Sequence, residues 1–98
     1  MLNKMQLTVE QKKLRKEWLQ SLLSLRGFII SQTNGATYCF LPQFVGSKMF
    51  NMSFATLNSK DTYSRKYGEY IALSRMFAEY ERILIPRDMV YYIEARTN

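Results

Sequence analysis

The sequence predicts an α+β domain in which an N-terminal helix and a long second helix accompany a three-stranded antiparallel sheet. Three observations predict it. Apolar residues fall at helical spacing between positions 9 and 25, they alternate with polar ones around an Asn-Gly pair in the middle of the chain, and helical spacing returns between about 59 and 82. With 98 residues, the chain has the size of one domain, 1–98, able to bury roughly two-thirds of its unfolded surface. A content of 47% hydrophobic and 22% charged residues supports a packed core rather than disorder.

The first helix is expected from Val9 to about Leu25. Thr8 can cap it, and Gln11, three residues on, can complete a capping box. Leu14, Trp18, Leu22 and Leu25 then fall on one face, and Gly27 stands where a left-handed C-cap is usual. The runs Phe28–Ile30 and Thr37–Leu41 are rich in β-prone residues. Asn34-Gly35 between them is a hairpin signal, because a type I′ turn needs positive φ at both central residues. Pro42 ends the second run.

From Lys48 to Leu57 the pattern is a strand again, with Phe50, Met52 and Phe54 alternating with Asn51, Ser53 and Ala55. Its aromatic side needs a cover, which the second helix is expected to supply. That helix has Ser59 or Asp61 as N-cap candidates and extends to about Arg82, before Pro86 forbids continuation. On a helical wheel Tyr63, Tyr67, Tyr70, Ile71, Ser74, Phe77 and Ala78 form the broad face expected to meet the sheet. Ser64, Gly68, Arg75, Glu79 and Arg82 lie on a flank, with Arg65 and Ala72 beside them. The last segment, DMVYYIEAR, reads as a fourth strand from its Val, Tyr and Ile, with a short helix starting at Pro86 as the competing reading.

Gly68 is the unusual residue of the second helix, since a mid-helix glycine costs about 1 kcal/mol relative to alanine. It is a candidate close-approach position. Either another segment of the chain crosses Ser64, Gly68 and Ala72, or a partner does so beside Arg65 and Arg75, whose forked donors suit phosphate and carboxylate.

The stretch Asp61-x-Tyr63-Ser64-Arg65-Lys66-x-Gly68, followed by Ile71-Ala72-Leu73-x-Arg75, resembles a pattern in small accessory proteins of bacteriophages and prophages, roughly D-x-F-[SN]-[RK]-K-x-G-R-x-I-A-L-x-R. The resemblance covers about a sixth of the chain. It departs at Glu69, where the pattern often has Arg, and Glu69 is able to pair with Arg65 one turn away. What the resemblance implies is a setting, a phage or mobile element whose small proteins block or redirect host machinery from the host cytoplasm. It implies no particular activity.

Composition narrows the chemistry. There is no histidine, which excludes Ser-His and Cys-His pairs and imidazole metal ligands. Cys39 is the single cysteine, so no intramolecular disulfide forms, and its place in TYCFL marks it as a small core residue rather than a nucleophile. Asp61, Glu69, Glu79 and Glu81 stand at capping or ordinary helix-surface positions, and no P-loop, GxGxxG or helix-turn-helix signature occurs. No catalytic residue, metal site or cofactor is therefore expected. No run approaches the ~20 apolar residues of a membrane span.

Fourteen Lys and Arg against eight Asp and Glu give a net charge of +6, which attracts polyanions. The densest basic run is Lys12, Lys13, Arg15 and Lys16 on the first helix; Arg65, Lys66 and Arg75 follow on the second. These seven are the candidate contacts for nucleic acid or an acidic partner, against the plainer reading of solvated helix faces. Tyr63, Tyr67 and Tyr70 read as core, Tyr91 and Tyr92 as better candidates for exposure. The methionines read as gap-fillers or as parts of an adaptable contact surface. The expectation is a non-enzymatic accessory protein that binds a host protein or nucleoprotein complex. Direct nucleic-acid binding is the alternative, and a self-assembling protein with a homodimer seam is a third.

Overall fold

The computed structural model describes residues 7–33, 35–56, 65–78 and 81–97. Its elements are α1 (Val9–Leu23), β1 (Ile29–Thr33), β2 (Ala36–Pro42), β3 (Met49–Thr56), α2 (Arg65–Ala78), β4 (Ile83–Pro86) and α3 (Arg87–Thr97). The strands form one antiparallel sheet in the order β1-β2-β3-β4, so the architecture is α+β.

Local signals set the element boundaries. The Thr8 hydroxyl accepts from the Gln11 N–H at 3.1 Å while the Thr8 N–H donates to Gln11 Oε1 at 3.0 Å, a complete capping box. α1 stops at Leu23, two residues earlier than expected. Ser24 lies just beyond it and donates its hydroxyl to the Ser21 carbonyl at 2.6 Å, a local bond that competes with the helical ladder. Gly27 then reverses the chain at φ +89°, and a Cβ there would stand 2.7 Å from Pro42 Cγ. Only glycine meets both demands.

β1 and β2 pair from Ile29↔Phe40 to Thr33↔Ala36, leaving a two-residue connection. Gly35 has φ +88°, as the hairpin requires, while Asn34 lies outside the described residues. β1 runs three residues beyond the expected Phe28–Ile30 because so short a loop forces pairing up to its base.

The two faces of the sheet carry different helices, which corrects the expected arrangement. On one face Cys39, Ala55, Leu22, Ala72, Leu73 and Met76 form a core with Trp18, Leu19, Ile30, Leu41 and Ile71 around it. On the other, Phe40, Phe50, Met52 and Ile85 pack with Val90 of α3, joined by Ile29, Tyr38, Phe54 and Ile93. Thus α2 covers the small residues of β3, not its aromatic side, and α3 covers the aromatics. Small side chains allow a closer approach, and Ser53 turns it into a bond: its hydroxyl donates to the Ala72 carbonyl at 2.7 Å inside the core.

The buried face of α2 is accordingly Gly68, Ala72, Leu73 and Met76, on the other side of the helix from the one expected. Tyr70 and Phe77 instead stack on Trp18 of α1, with centroids 5.4 and 5.7 Å away. Ser59, Asp61, Tyr63, Ser64 and Glu79 lie outside the described residues. Arg82 is not part of α2; its guanidinium reaches back to the Met76 carbonyl at 3.5 Å.

Residues 87–96 are helical, not a strand; the fourth strand is the shorter ILIP segment before them. Val90 and Ile93, at helical spacing, face the sheet, and Asp88 sits in the first turn where the helix dipole favours it. Burial of that stripe overrides the β-propensity of Val, Tyr and Ile. Tyr91 and Tyr92 are both exposed.

Candidate functional site

Of the seven expected contact residues, two are occupied inside the fold. Arg15 is mostly buried and donates to Glu69 of α2 at 2.5 Å. Glu69 holds Gln32 of β1 with its other oxygen, at 2.9 Å. The expected Glu69–Arg65 pairing is thereby displaced, because Glu69 turns toward the α1–β1 side. Gln32 also donates weakly to the Arg65 carbonyl at 3.4 Å, tying the start of α2 to the edge of the sheet.

Arg75 is the second. Its Nη1 donates to the Phe54 carbonyl at 2.7 Å and its Nε pairs with Glu81 at 2.8 Å. It braces α2 against the end of β3 and the approach to β4. Two of its three nitrogens are thus engaged within the chain, one by a backbone carbonyl and one by an exposed carboxylate.

Lys12, Lys13, Lys16, Arg65 and Lys66 are exposed. Lys12 and Lys16 share one face of α1 at i, i+4, and Lys13 points elsewhere. The inward stripe of α1 is Gln11, Arg15, Trp18, Leu19 and Leu22. Leu14 and Leu25, expected on that stripe, are exposed.

The contacts also set the relative direction of the helices. Moving from Arg15 to Trp18 to Leu22 along α1 leads from Glu69 to Tyr70 and Phe77 and the core around Leu73 and Met76. α1 and α2 therefore run in the same sense. Lys12 is one turn before Arg15, and Arg65 and Lys66 are one turn before Glu69. Lys12 therefore comes to the same end of the helical layer as Arg65 and Lys66, and sequence alone could not establish this.

Gly68 is buried where α2 meets the sheet, so its flank is covered by the chain itself. As a close-approach position for a partner it is closed. Cys39 is fully buried, and burial, only partly offset by a hydrogen bond with Ser53, pushes its thiol up to about 12. Such a thiol is a core atom, not a nucleophile.

The segment QFVGS, a short connection by its sequence, is a turn between β2 and β3, and its exposed apolar residues are not among the expected contacts. Phe44 and Val45 are 66% and 72% exposed on it. The Ser47 N–H donates to the Phe44 carbonyl at 2.9 Å, the Gln43 N–H to the Met49 carbonyl at 2.9 Å, and Gly46 has φ +83°. Positive φ at the third position of such a turn is the type II signature. The signal was present in FVGS, where Gly follows two large apolar residues.

Among the described residues, no helix is long and apolar enough to cross a membrane. Comparisons with family models, with curated proteins and with solved structures find no match to this chain.

Proposed function

We propose that this protein is a non-enzymatic accessory protein that binds a nucleic-acid-bearing host target through the basic end of its helical layer. The observation that carries the reading is that Lys12 of α1 and Arg65 and Lys66 of α2, all exposed, come to the same end of two helices that run in the same sense, with Lys13 and Lys16 exposed within the next turn of α1. Cations from two elements on one rigid layer can follow a phosphate backbone, and each phosphate neutralised releases counterions. The phage-type setting implied by the α2 motif and a cytoplasmic location in the host belong to the same proposal.

Fluorescence anisotropy with random-sequence DNA and RNA tests it. Binding at low salt is expected, with log K falling linearly in log salt. Reversing Lys12 and Lys16 to Glu should weaken it on every sequence alike. The absence of any binding to either nucleic acid at low salt would remove the direct contact from the reading.

A second contact, to protein within the same target, is favoured by the ordered turn that holds Phe44 and Val45 in solvent. Preformed apolar side chains of this kind anchor protein interfaces at low entropic cost. Phe44→Ser should reduce capture of a host protein while leaving the nucleic-acid affinity unchanged. An equal loss of both, or of neither, would argue against a separate protein contact.

A further inference from the structure

Among the described residues the strand β4 is an edge of the sheet, and its hydrogen-bonding direction follows from the contacts of its neighbour. The Arg87 N–H donates to the Lys48 carbonyl at 2.8 Å, in line with the register Met49↔Pro86, Phe50↔Ile85, Asn51↔Leu84. In an antiparallel ladder hydrogen-bonded and non-hydrogen-bonded pairs alternate. Residues 87, 85 and 83 therefore turn their backbone groups toward β3, whereas Leu84 and Pro86 turn theirs to the free edge. The other side of β3 agrees, since the Gln43 N–H donates to Met49 rather than to Phe50. Pro86, which has no N–H, stands where a donor to β3 is not needed.

The side chains of this edge are also unusual. Ile83 points to the α3 side and Leu84 to the α2 side, and each is 47% exposed. Edge strands are ordinarily protected by charge, by shortness, by proline or by cover, and Pro86 leaves Leu84 as the strand residue whose outward N–H and C=O can both pair. β4 is short, but both of its faces are apolar, the pattern of an interior strand. The other edge, β1, differs: it carries Ser31, Gln32 and Thr33, and Gln32 is held by Glu69.

We infer that β4 is a self-association surface, pairing antiparallel with β4 of a second copy about a two-fold axis at Leu84. The segment Glu81–Arg87, ERILIPR, is self-complementary in that register. Leu84 faces Leu84 and exchanges two backbone hydrogen bonds with it, the parity that its outward N–H and C=O demand. Ile83 of each chain faces Ile85 of the other, so the apolar ILI core is symmetric. Just beyond the strand ends, Glu81 of each chain, which also holds Arg75 of its own chain, comes to the side of Arg87 of the other, so opposite charges flank the seam. Shifting the axis by half a residue, to between Leu84 and Ile85, brings Glu81 against Asp88 and Arg82 against Arg87 and breaks the hydrogen-bond parity as well. The product is a continuous eight-stranded antiparallel sheet, with an isologous contact as a two-fold dimer requires. This inference stands apart from the polyanion reading and uses none of its residues.

Sedimentation or light scattering of the full chain over micromolar to millimolar concentration is the test. A species of twice the 11.6 kDa chain mass is expected, together with concentration-dependent protection of the Leu84 amide in hydrogen exchange. Leu84→Pro deletes the outward donor and spares the ladder to β3; Leu84→Lys places a charge on the exposed side chain. Each should raise the dimer dissociation constant at least tenfold with an unchanged circular dichroism spectrum. If Leu84→Pro fails to fold, Leu84→Lys and the exchange of the Leu84 amide decide the matter. A chain that stays monomeric across the whole range, or a dimer indifferent to the Leu84 substitutions, overturns the inference.

Discussion

Arg15 of α1 and Glu69 of α2, 54 positions apart in the chain, meet at 2.5 Å with both side chains mostly out of water. This one pair sets the middle of α1 against the early part of α2 and brings Lys12 to the same end as Arg65 and Lys66. It also explains why a chain with a basic surface keeps an acidic residue on α2 one turn after Arg65 and Lys66. Glu69 is directed into the junction, where it serves Arg15 and Gln32 together.

Breaking this junction should therefore cost more than breaking a surface ion pair. Glu69→Ala removes two bonds and leaves a mostly buried guanidinium without its counter-charge, so a loss of about 2–4 kcal/mol is expected. A double-mutant cycle with Arg15→Ala, read by urea unfolding, should give a coupling energy above about 1 kcal/mol. Strict additivity would show that the pair contributes nothing specific.

Enlarging the close-packed face of α2 should be harmful where enlarging its outer face is not. Ala72 is fully buried and its carbonyl receives Ser53; Ala72→Leu should cost about 1–3 kcal/mol through overpacking. Ala78 is exposed, and Ala78→Leu should stay within about 0.5 kcal/mol of the parent. Thermal unfolding of the two variants distinguishes this face from the Tyr-rich one. Equal effects would contradict the buried face described above.

Cys39 makes stability fall at alkaline pH. Its native pKa is raised from 9.0 to about 12, so below pH 9 the thiol is neutral in both folded and unfolded chains and the contribution is flat. Between pH 9 and 12 the unfolded chain releases the proton first, binds fewer protons than the native state, and stability declines by about 1.4 kcal/mol per pH unit at most. Cys39→Ala should flatten part of this slope in denaturant titrations at pH 8 to 11. In the native protein at pH 8, a thiol reagent should react with Cys39 only at the rate of unfolding.

Arg75 and Lys12 should separate stability from binding. Arg75→Ala loses the bonds to Phe54 and Glu81 and is expected to lower the melting temperature without changing the salt slope of any nucleic-acid affinity. Lys12→Ala should leave the melting temperature in place and reduce that slope by about one if the lysine meets a phosphate. The reverse pattern would mean that the assignment of inner and outer cations is mistaken.

What was legible in the sequence was local. The Thr8–Gln11 box and the turn at Gly35 are encoded by residues at fixed short spacings, and the Gly27 turn requires a residue type that nothing else replaces. The placement of α2 was not legible, because its tyrosines outweigh Gly68 and Ala72 on any hydrophobicity count. The fold values the small residues for proximity to Cys39, Ser53 and Ala55, a property of the partner surface. The same holds for the site. Exposure of Lys12 and Lys66 could be expected from residue type, but the engagement of Arg15 and Arg75 depends on Glu69, Phe54 and Glu81 being brought to them by the packing of α1, α2 and the sheet. For DMVYYIEAR, strand propensity pointed one way and the Val90–Ile93 spacing the other. The exposed aromatic side of β3, needing a cover, decided for a helix.

Because successive residues of β2 and β3 belong to opposite faces, the sheet acts as a partition between two compartments. Substitutions under α3 and substitutions under α2 share few neighbours, so their effects on stability should add. A chain built this way can change the exposed residues of α1 and α2 while its aromatic layer under α3 stays as it is. The partition leaves each surface free to evolve at its own rate.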